Sequence, residues 1–233
     1  MGDEVRRRLP PAVYDLALRL GTNALTGRDV CLRQAGRMRQ DAASGWMKFS
    51  ARQTISIHAC AFEWRARTGP LGMISVRDAL SGGDGVLDVR VLGFIKIAHL
   101  RSSPALTRGE LMRYLAELSW APDAILFNTA LRWRSHGPDR LIVSAGAGDA
   151  EAEVTLTLDS DGRIASVFAA DRPRGVKDTF TPTPWQGRFT DYRQHHGFWL
   201  PFSGDVSWTI GASAFVYWEG RVEDWSPQKV SGG

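Results

Sequence analysis

The stretch Thr107-Arg-Gly-Glu-Leu-Met-Arg-Tyr-Leu-Ala-Glu-Leu-Ser-Trp-Ala-Pro122 reads as a helix set into a chain whose other patterned segments alternate. Thr107 and Glu110 stand at the S/T-x-x-E spacing of a capping box, which predicts the helix start at Thr107. At about 100° per residue, Leu111, Leu115 and Leu118 share one face. Glu110, Arg113, Tyr114 and Glu117 share another, roughly 120° round, with Trp120 at its edge. An apolar side and a second side bearing Arg, Tyr, Glu and Trp fit a lid over something polar. They fit equally a solvated face on which Arg113 and Glu117 form an ordinary i,i+4 pair.

Outward from this helix the periodicity is that of strands. Towards the N-terminus, Leu9-Pro-Pro11 predicts a short helix over 12–20. Residues 28–39 alternate imperfectly, and 46–67 read as one long strand. In it Thr54, Ser56, His58, Cys60, Phe62 and Trp64 point one way, and Ile55, Ile57, Ala59 and Ala61 the other. Both sides are partly apolar, as in a sheet with one packed and one enclosed face. Strands at 71–80 and 86–99 form a hairpin around Ser81-Gly-Gly-Asp-Gly85. After the helix come a short helical piece through 123–127 and strands at 130–135, 139–146, 151–158, 163–170, 185–193, 198–209 and 213–225.

This pattern predicts a mainly β protein: a strongly curved antiparallel sheet, a half-barrel or open barrel of about ten strands, with an N-terminal helix and a helical lid insertion. The domain layout expected is a lead-in over 1–27, one β domain over 28–226 with the insertion at 107–127, and a tail at 227–233.

Hydrophobic residues at 43% and charged residues at 23% are the composition of a folded chain. The net charge of +4 comes from 29 basic and 25 acidic residues interspersed along the sequence, with Arg6-Arg7-Arg8 the only run, so no nucleic-acid partner is expected. Cys31 and Cys60 lack metal or redox spacing, and whether they pair is left open. No apolar run is long enough to cross a membrane, and without a signal-peptide pattern the chain is expected to be cytoplasmic. Nine tryptophans are more than a small closed barrel packs, so some are expected to surround a ligand.

Arg113-Tyr-Leu-Ala-Glu-Leu-Ser-Trp-Ala-Pro122, preceded by Phe49-x-Ala-x-Gln53 and Phe62-x-Trp64, resembles a bacterial family known only as a domain of unknown function. Gly83–Gly85, Pro184-Trp185-x-Gly187, Asp191-Tyr192-Arg193 and Gly197 to Pro201 follow in that family's order. The sheet-and-helix layout also looks like the half-barrel of bacterial lipoprotein carriers, which implies a cavity that encloses acyl chains. The N-terminal region shows no pattern of the export signal those carriers bear, so this chain is expected to differ from them in location.

No nucleophile elbow, zinc-binding helix, phosphate loop or dinucleotide fingerprint is present, so neither a metal nor a cofactor is expected. Metal-free acid–base chemistry or simple binding remains. Glu117, desolvated among Tyr114, Trp120 and Trp133, is the leading acid–base candidate, with Arg113 to clamp a substrate carboxylate or enolate. Tyr192 and Asp191 form a second candidate proton-transfer pair. His58, Phe62, Trp64, Trp185, Trp208 and Tyr217 are candidate ligand-lining residues. His195-His196 reads as a turn, and Asp78, Asp84 and Asp88 lack calcium-loop spacing. The function expected is binding of a hydrophobic small molecule with cofactor-independent isomerase or cyclase chemistry. The alternatives are a non-catalytic carrier or sensor of such a ligand, and a module that holds a protein segment.

Overall fold

The computed structural model describes residues 8–22, 29–91, 95–100 (backbone), 102–176 and 179–228. Among the described residues, thirteen strands form one open antiparallel sheet. The first six are β1 (Val30–Met38), β2 (Met47–Ile55), β3 (Phe62–Thr68), β4 (Ile74–Ser81), β5 (Asp84–Val91) and β6 (Ile95–Leu100). The others are β7 (Arg132–Ser135), β8 (Arg140–Ala145), β9 (Ala152–Leu158), β10 (Ile164–Val176), β11 (Thr179–His195), β12 (Phe198–Ile210) and β13 (Ser213–Pro227). Their order is β6-β5-β4-β3-β2-β1-β13-β12-β11-β10-β9-β8-β7, so two meanders meet where β1 pairs with β13, and β6 and β7 are left as edges.

Helix α1 (Pro11–Arg19) opens on Pro10-Pro11 as the sequence predicts, and the long helix α2 (Pro104–Ala116) is followed by the short α3 (Ala124–Phe127). Arriving from β6, α2 packs on β4 and β5 on one side and on β8, β9 and β10 on the other. It therefore closes the open side of the sheet, which accounts for its two committed faces. None of the described helices is long and apolar enough to cross a membrane.

The helix does not begin at the predicted capping box. Ser103 is the N-cap, its Oγ accepting from the Leu106 N–H at 3.2 Å, with Pro104 in the first turn. Thr107 lies one turn inside, where its hydroxyl accepts from the Gly85 N–H on β5 at 3.1 Å, and Glu110 is buried mid-helix.

The segment 46–67 is likewise two strands. Ile55 pairs with Phe62 across a loop of Ser56–Ala61, held by the Asp29 carboxylate, which accepts from the Ser56 hydroxyl and the Ile57 N–H at 3.0 Å each. The inward set is therefore Phe49, Ala51, Gln53 and Ile55 on β2 but Phe62, Trp64 and Ala66 on β3. The loop absorbs the change of parity.

Sheet register also gathers charges that the sequence scatters. Arg33, Arg52, Arg65 and Arg77 lie in one exposed row across β1 to β4, ended by Asp224 on β13 and Asp88 on β5. Glu63 sits against Arg65 and Arg77 at 2.7 and 2.6 Å. Interspersion along the chain is thus no guide to the charge on this outer face. Of the predicted tail only residues 227 and 228, and of the Arg6–Arg8 run only Arg8, lie among the described residues. Both cysteines are free thiols.

Candidate functional site: a charged cluster beneath the helix

Arg113 projects from α2 into the concave side of the sheet. Its Nε donates to Glu117 Oε1 at 2.9 Å and its Nη1 to Asp78 Oδ2 on β4. The guanidinium also lies 4.8 Å from the Phe62 ring centre and 5.2 Å from that of Trp64. Burial works against the Arg113 charge, but Glu117 and Asp78 overcome it and raise its proton affinity. The other oxygen of Glu117 accepts from Gln53 Nε2, and Trp64 Nε1 donates to Gln34 Oε1 at 2.9 Å. Helix and sheet are thus tied by a polar network in which Gln34, Gln53, Trp64 and Glu117 are buried and Arg113 and Asp78 are partly so.

Glu110, one turn before Arg113, is the carboxyl whose proton affinity is most altered. Burial raises it well above the ordinary carboxyl value, and Asp78 raises it further. Asp78 Oδ1 and Glu110 Oε2 are buried with no other partner, and a proton held on Glu110 lets it donate to Asp78. Because the folded chain keeps this proton to higher pH than the unfolded chain, stability falls as pH rises above the ordinary carboxyl value. The slope is about 1.4 kcal/mol per pH unit until the folded group ionises. Glu110→Gln keeps a donor and does not titrate. Its stability relative to wild type is expected to rise with pH above the ordinary carboxyl value in urea denaturation; a pH-independent difference would contradict the assignment.

Beside this cluster lies a cavity of about 190 Å³. Its walls include Trp64, Trp120, Trp185, Tyr217, Trp218 and Phe189, and Asp78, Arg113, Glu117 and Arg172 also face it. Trp120 Nε1 donates to the Pro201 carbonyl at 2.8 Å, and the Trp120 ring meets Phe189 edge-on at 5.3 Å. Gly187 and Gly204 give the floor its depth: a Cβ at Gly204 would stand 2.9 Å from the Arg188 carbonyl oxygen.

Six of the sequence candidates, Arg113, Glu117, Trp64, Trp120, Trp185 and Tyr217, thus line one cavity. Phe62 backs Arg113, and Trp208 stacks on Tyr217 at 5.8 Å. The others are elsewhere. Tyr114 is wholly buried, its hydroxyl donating to the Ser56 carbonyl at 2.9 Å. Trp133 is on the edge strand β7, and His58 is exposed on the β2–β3 loop with its ring 5.9 Å from Phe127.

Tyr192 and Asp191 do not form a proton-transfer pair, because neighbouring strand residues diverge. The Tyr192 hydroxyl donates to the Ile164 carbonyl at 2.8 Å, and burial raises its proton affinity. Asp191, at φ 58°, turns outward to Arg193 at 2.6 Å.

Residues 9–226 match the family of unknown function DUF6920. The chain belongs to this family. No curated protein matches it in sequence. Among solved structures, a LolA superfamily protein from Nitrosomonas europaea is similar at 10% identity, over 94% of each chain, with a TM-score of 0.50. A domain from Vibrio parahaemolyticus assigned to outer membrane lipoprotein sorting is similar at 11% identity, over 94% of this chain and 91% of that one, with a TM-score of 0.53. At such identities the likeness is one of fold: this member of DUF6920 has the LolA-like half-barrel, with α2 on its concave side.

The site also takes in residues that are not among the sequence candidates: Gln34, Gln53, a motif residue, and Asp78, which lacks calcium-loop spacing, complete the network, and Arg172 faces the cavity. The inward position of Asp78 on β4 follows from alternation once the strand is placed. Arg172 lies beyond the predicted end of its strand.

Proposed function

We propose that the protein binds a hydrophobic small molecule in the concavity beneath α2 and carries or senses it without converting it. The observation that carries this reading is the aromatic-walled cavity between helix and sheet, with its depth set by two glycines. The sorting role assigned to the Vibrio domain is in keeping with it, since lipoproteins bear acyl chains. Two groups expected to move protons are already engaged: Glu117 accepts at both oxygens, and the Tyr192 hydroxyl donates to a backbone carbonyl.

The test is saturable fluorescence enhancement of the neutral dye N-phenyl-1-naphthylamine. Wild type is expected to bind it. Ala116→Phe, which fills the cavity from α2, is expected to weaken binding by at least about tenfold with Tm unchanged or raised, as for cavity-filling substitutions. Equal binding by a folded Ala116→Phe protein would overturn the reading.

A cofactor-independent isomerase or cyclase is the second reading, favoured by one observation, the buried carboxyl oxygens of Glu110 and Asp78 that have no hydrogen-bond partner, Asp78 lining the cavity. It predicts chemical conversion of the co-purifying ligand by wild type and none by Glu110→Gln. Recovery of the ligand unchanged from both would leave the carrier reading.

A further inference from the structure

Arg172 is out of keeping with the other buried charges. Every charge of the Arg113 cluster has a partner, whereas Arg172, 8% exposed, forms no hydrogen bond or ion pair among the described residues, and its Nε is buried and unsatisfied. A buried guanidinium N–H that meets no acceptor is unfavourable and calls for an explanation. Its neighbours hold it in place. The guanidinium carbon lies 4.6 Å from the Trp185 ring centre and 5.6 Å from that of Trp208, so two indole faces fix its plane while leaving its donors unused. Glu110, the nearby carboxyl on α2, feels the Arg172 charge, which opposes the rise that burial and Asp78 impose on its proton affinity, but no hydrogen bond or ion pair joins the two among the described residues. Arg113, Asp78 and Glu117 are committed to one another.

Two further donors stand close by. The Tyr217 hydroxyl accepts from Trp185 Nε1 at 3.0 Å and stacks on Trp208. Its own proton has no acceptor among the described residues. Arg174, two residues along the same strand face, also has a buried Nε without a partner. Arg172 and Tyr217 both line the cavity. A guanidinium with an unsatisfied N–H and a spare hydroxyl donor, held by the same two indoles at the wall of an aromatic-walled cavity, form a receptor for one anionic group.

We propose that the ligand is an amphiphile with an apolar tail and a single anionic head, the carboxylate of a long-chain acid, and that Arg172 binds that head. This rests on the hydrophobic-ligand reading and adds the ligand's charge and its point of attachment. At about 190 Å³ the cavity is smaller than the roughly 300–1,000 Å³ usual for small-molecule sites, so it takes the head and the first part of the tail.

The test is titration calorimetry of full-length protein with dodecanoate, dodecanol and dodecyl phosphate. Wild type is expected to bind dodecanoate at least about tenfold more tightly than dodecanol. In Arg172→Met that preference is expected to vanish through loss of dodecanoate affinity, with dodecanol binding kept. Tyr217→Phe, which keeps the cation, is expected to reduce the preference several-fold, so the proposal stays testable if Arg172→Met fails to fold.

Tighter binding of dodecyl phosphate than of dodecanoate, also lost in Arg172→Met, would keep the anion site and replace the carboxylate with a phosphate head. Equal affinity of wild type for dodecanoate and dodecanol would overturn the anion site and leave the hydrophobic-ligand reading intact. Binding of none of the three would overturn both. An unchanged preference in a folded Arg172→Met protein would show that the selectivity lies elsewhere and overturn the role of Arg172.

Discussion

Arg113→Met is expected to lower the unfolding free energy by roughly 3–5 kcal/mol, the loss typical of removing one partner from a buried ion pair. Methionine keeps much of the packing against Phe62 and Trp64 but leaves Asp78 and Glu117 charged and nearly buried, with side chains only 14% and 10% exposed. The penalty comes from those stranded carboxylates more than from the lost bonds. Replacing Asp78 and Glu117 with leucine in the same chain should therefore recover much of the stability. Urea denaturation of the single and triple variants separates the contributions. A single variant within about 0.5 kcal/mol of wild type would mean that the cluster behaves as a solvated surface pair.

Trp225→Ala should be nearly as damaging, at about 3–5 kcal/mol, with a fall in Tm on the order of 10 °C. Trp225 is 1% exposed and packs on Phe198 at 5.3 Å, and its Nε1 donates to the Trp120 carbonyl at 2.8 Å. Trp120 in turn donates to the Pro201 carbonyl, so the two indoles anchor the end of the helical insertion to β12 and β13. Trp225→Ala empties a core site and also frees one wall of the cavity, so dye binding should weaken along with stability. Trp225→Phe, which keeps most of the volume and loses the N–H, separates the two effects. Full dye affinity in a destabilised Trp225→Ala protein would show that this anchor does not shape the cavity.

The C-terminal meander was the most legible part of the chain. From β8 to β12 the strands carry buried apolar residues and the turns between them are rich in glycine or aspartate, so predicted and observed strands overlap throughout β7 to β13. The lid was legible for a similar reason: Leu111, Leu115 and Leu118 mark one side and Arg113 and Glu117 the other, and all five are largely buried because α2 touches both arms of the sheet. Its start was misplaced because Thr107-x-x-Glu110 mimics a capping box, while Ser103-Pro104 supplies the cap.

Other misses have equally local causes. Ser56 to Ala61 continues the alternation of its flanks, so the loop between β2 and β3 is invisible until Asp29, distant in sequence, is seen to hold it. The Arg172 arm was hidden by its prolines, which usually argue against a strand. Pro173 and Pro182 are tolerated because they pair across a hairpin extension that β9, whose pairing with β10 covers only Ile164 to Phe168, does not reach. There α2 covers the arm, with Arg108 reaching the Asp171 carboxylate at 2.7 Å. The exposed arginine row of β1 to β4 is a product of register, which no linear charge count contains.

The most direct test of the central claim is native mass spectrometry of wild type and Ala116→Phe purified from the protein's own host. A non-covalent, organic-extractable adduct is expected on wild type and not on the folded Ala116→Phe variant. An equal adduct on both proteins, or a bare mass for wild type under conditions that preserve a weakly bound control ligand, would contradict that claim.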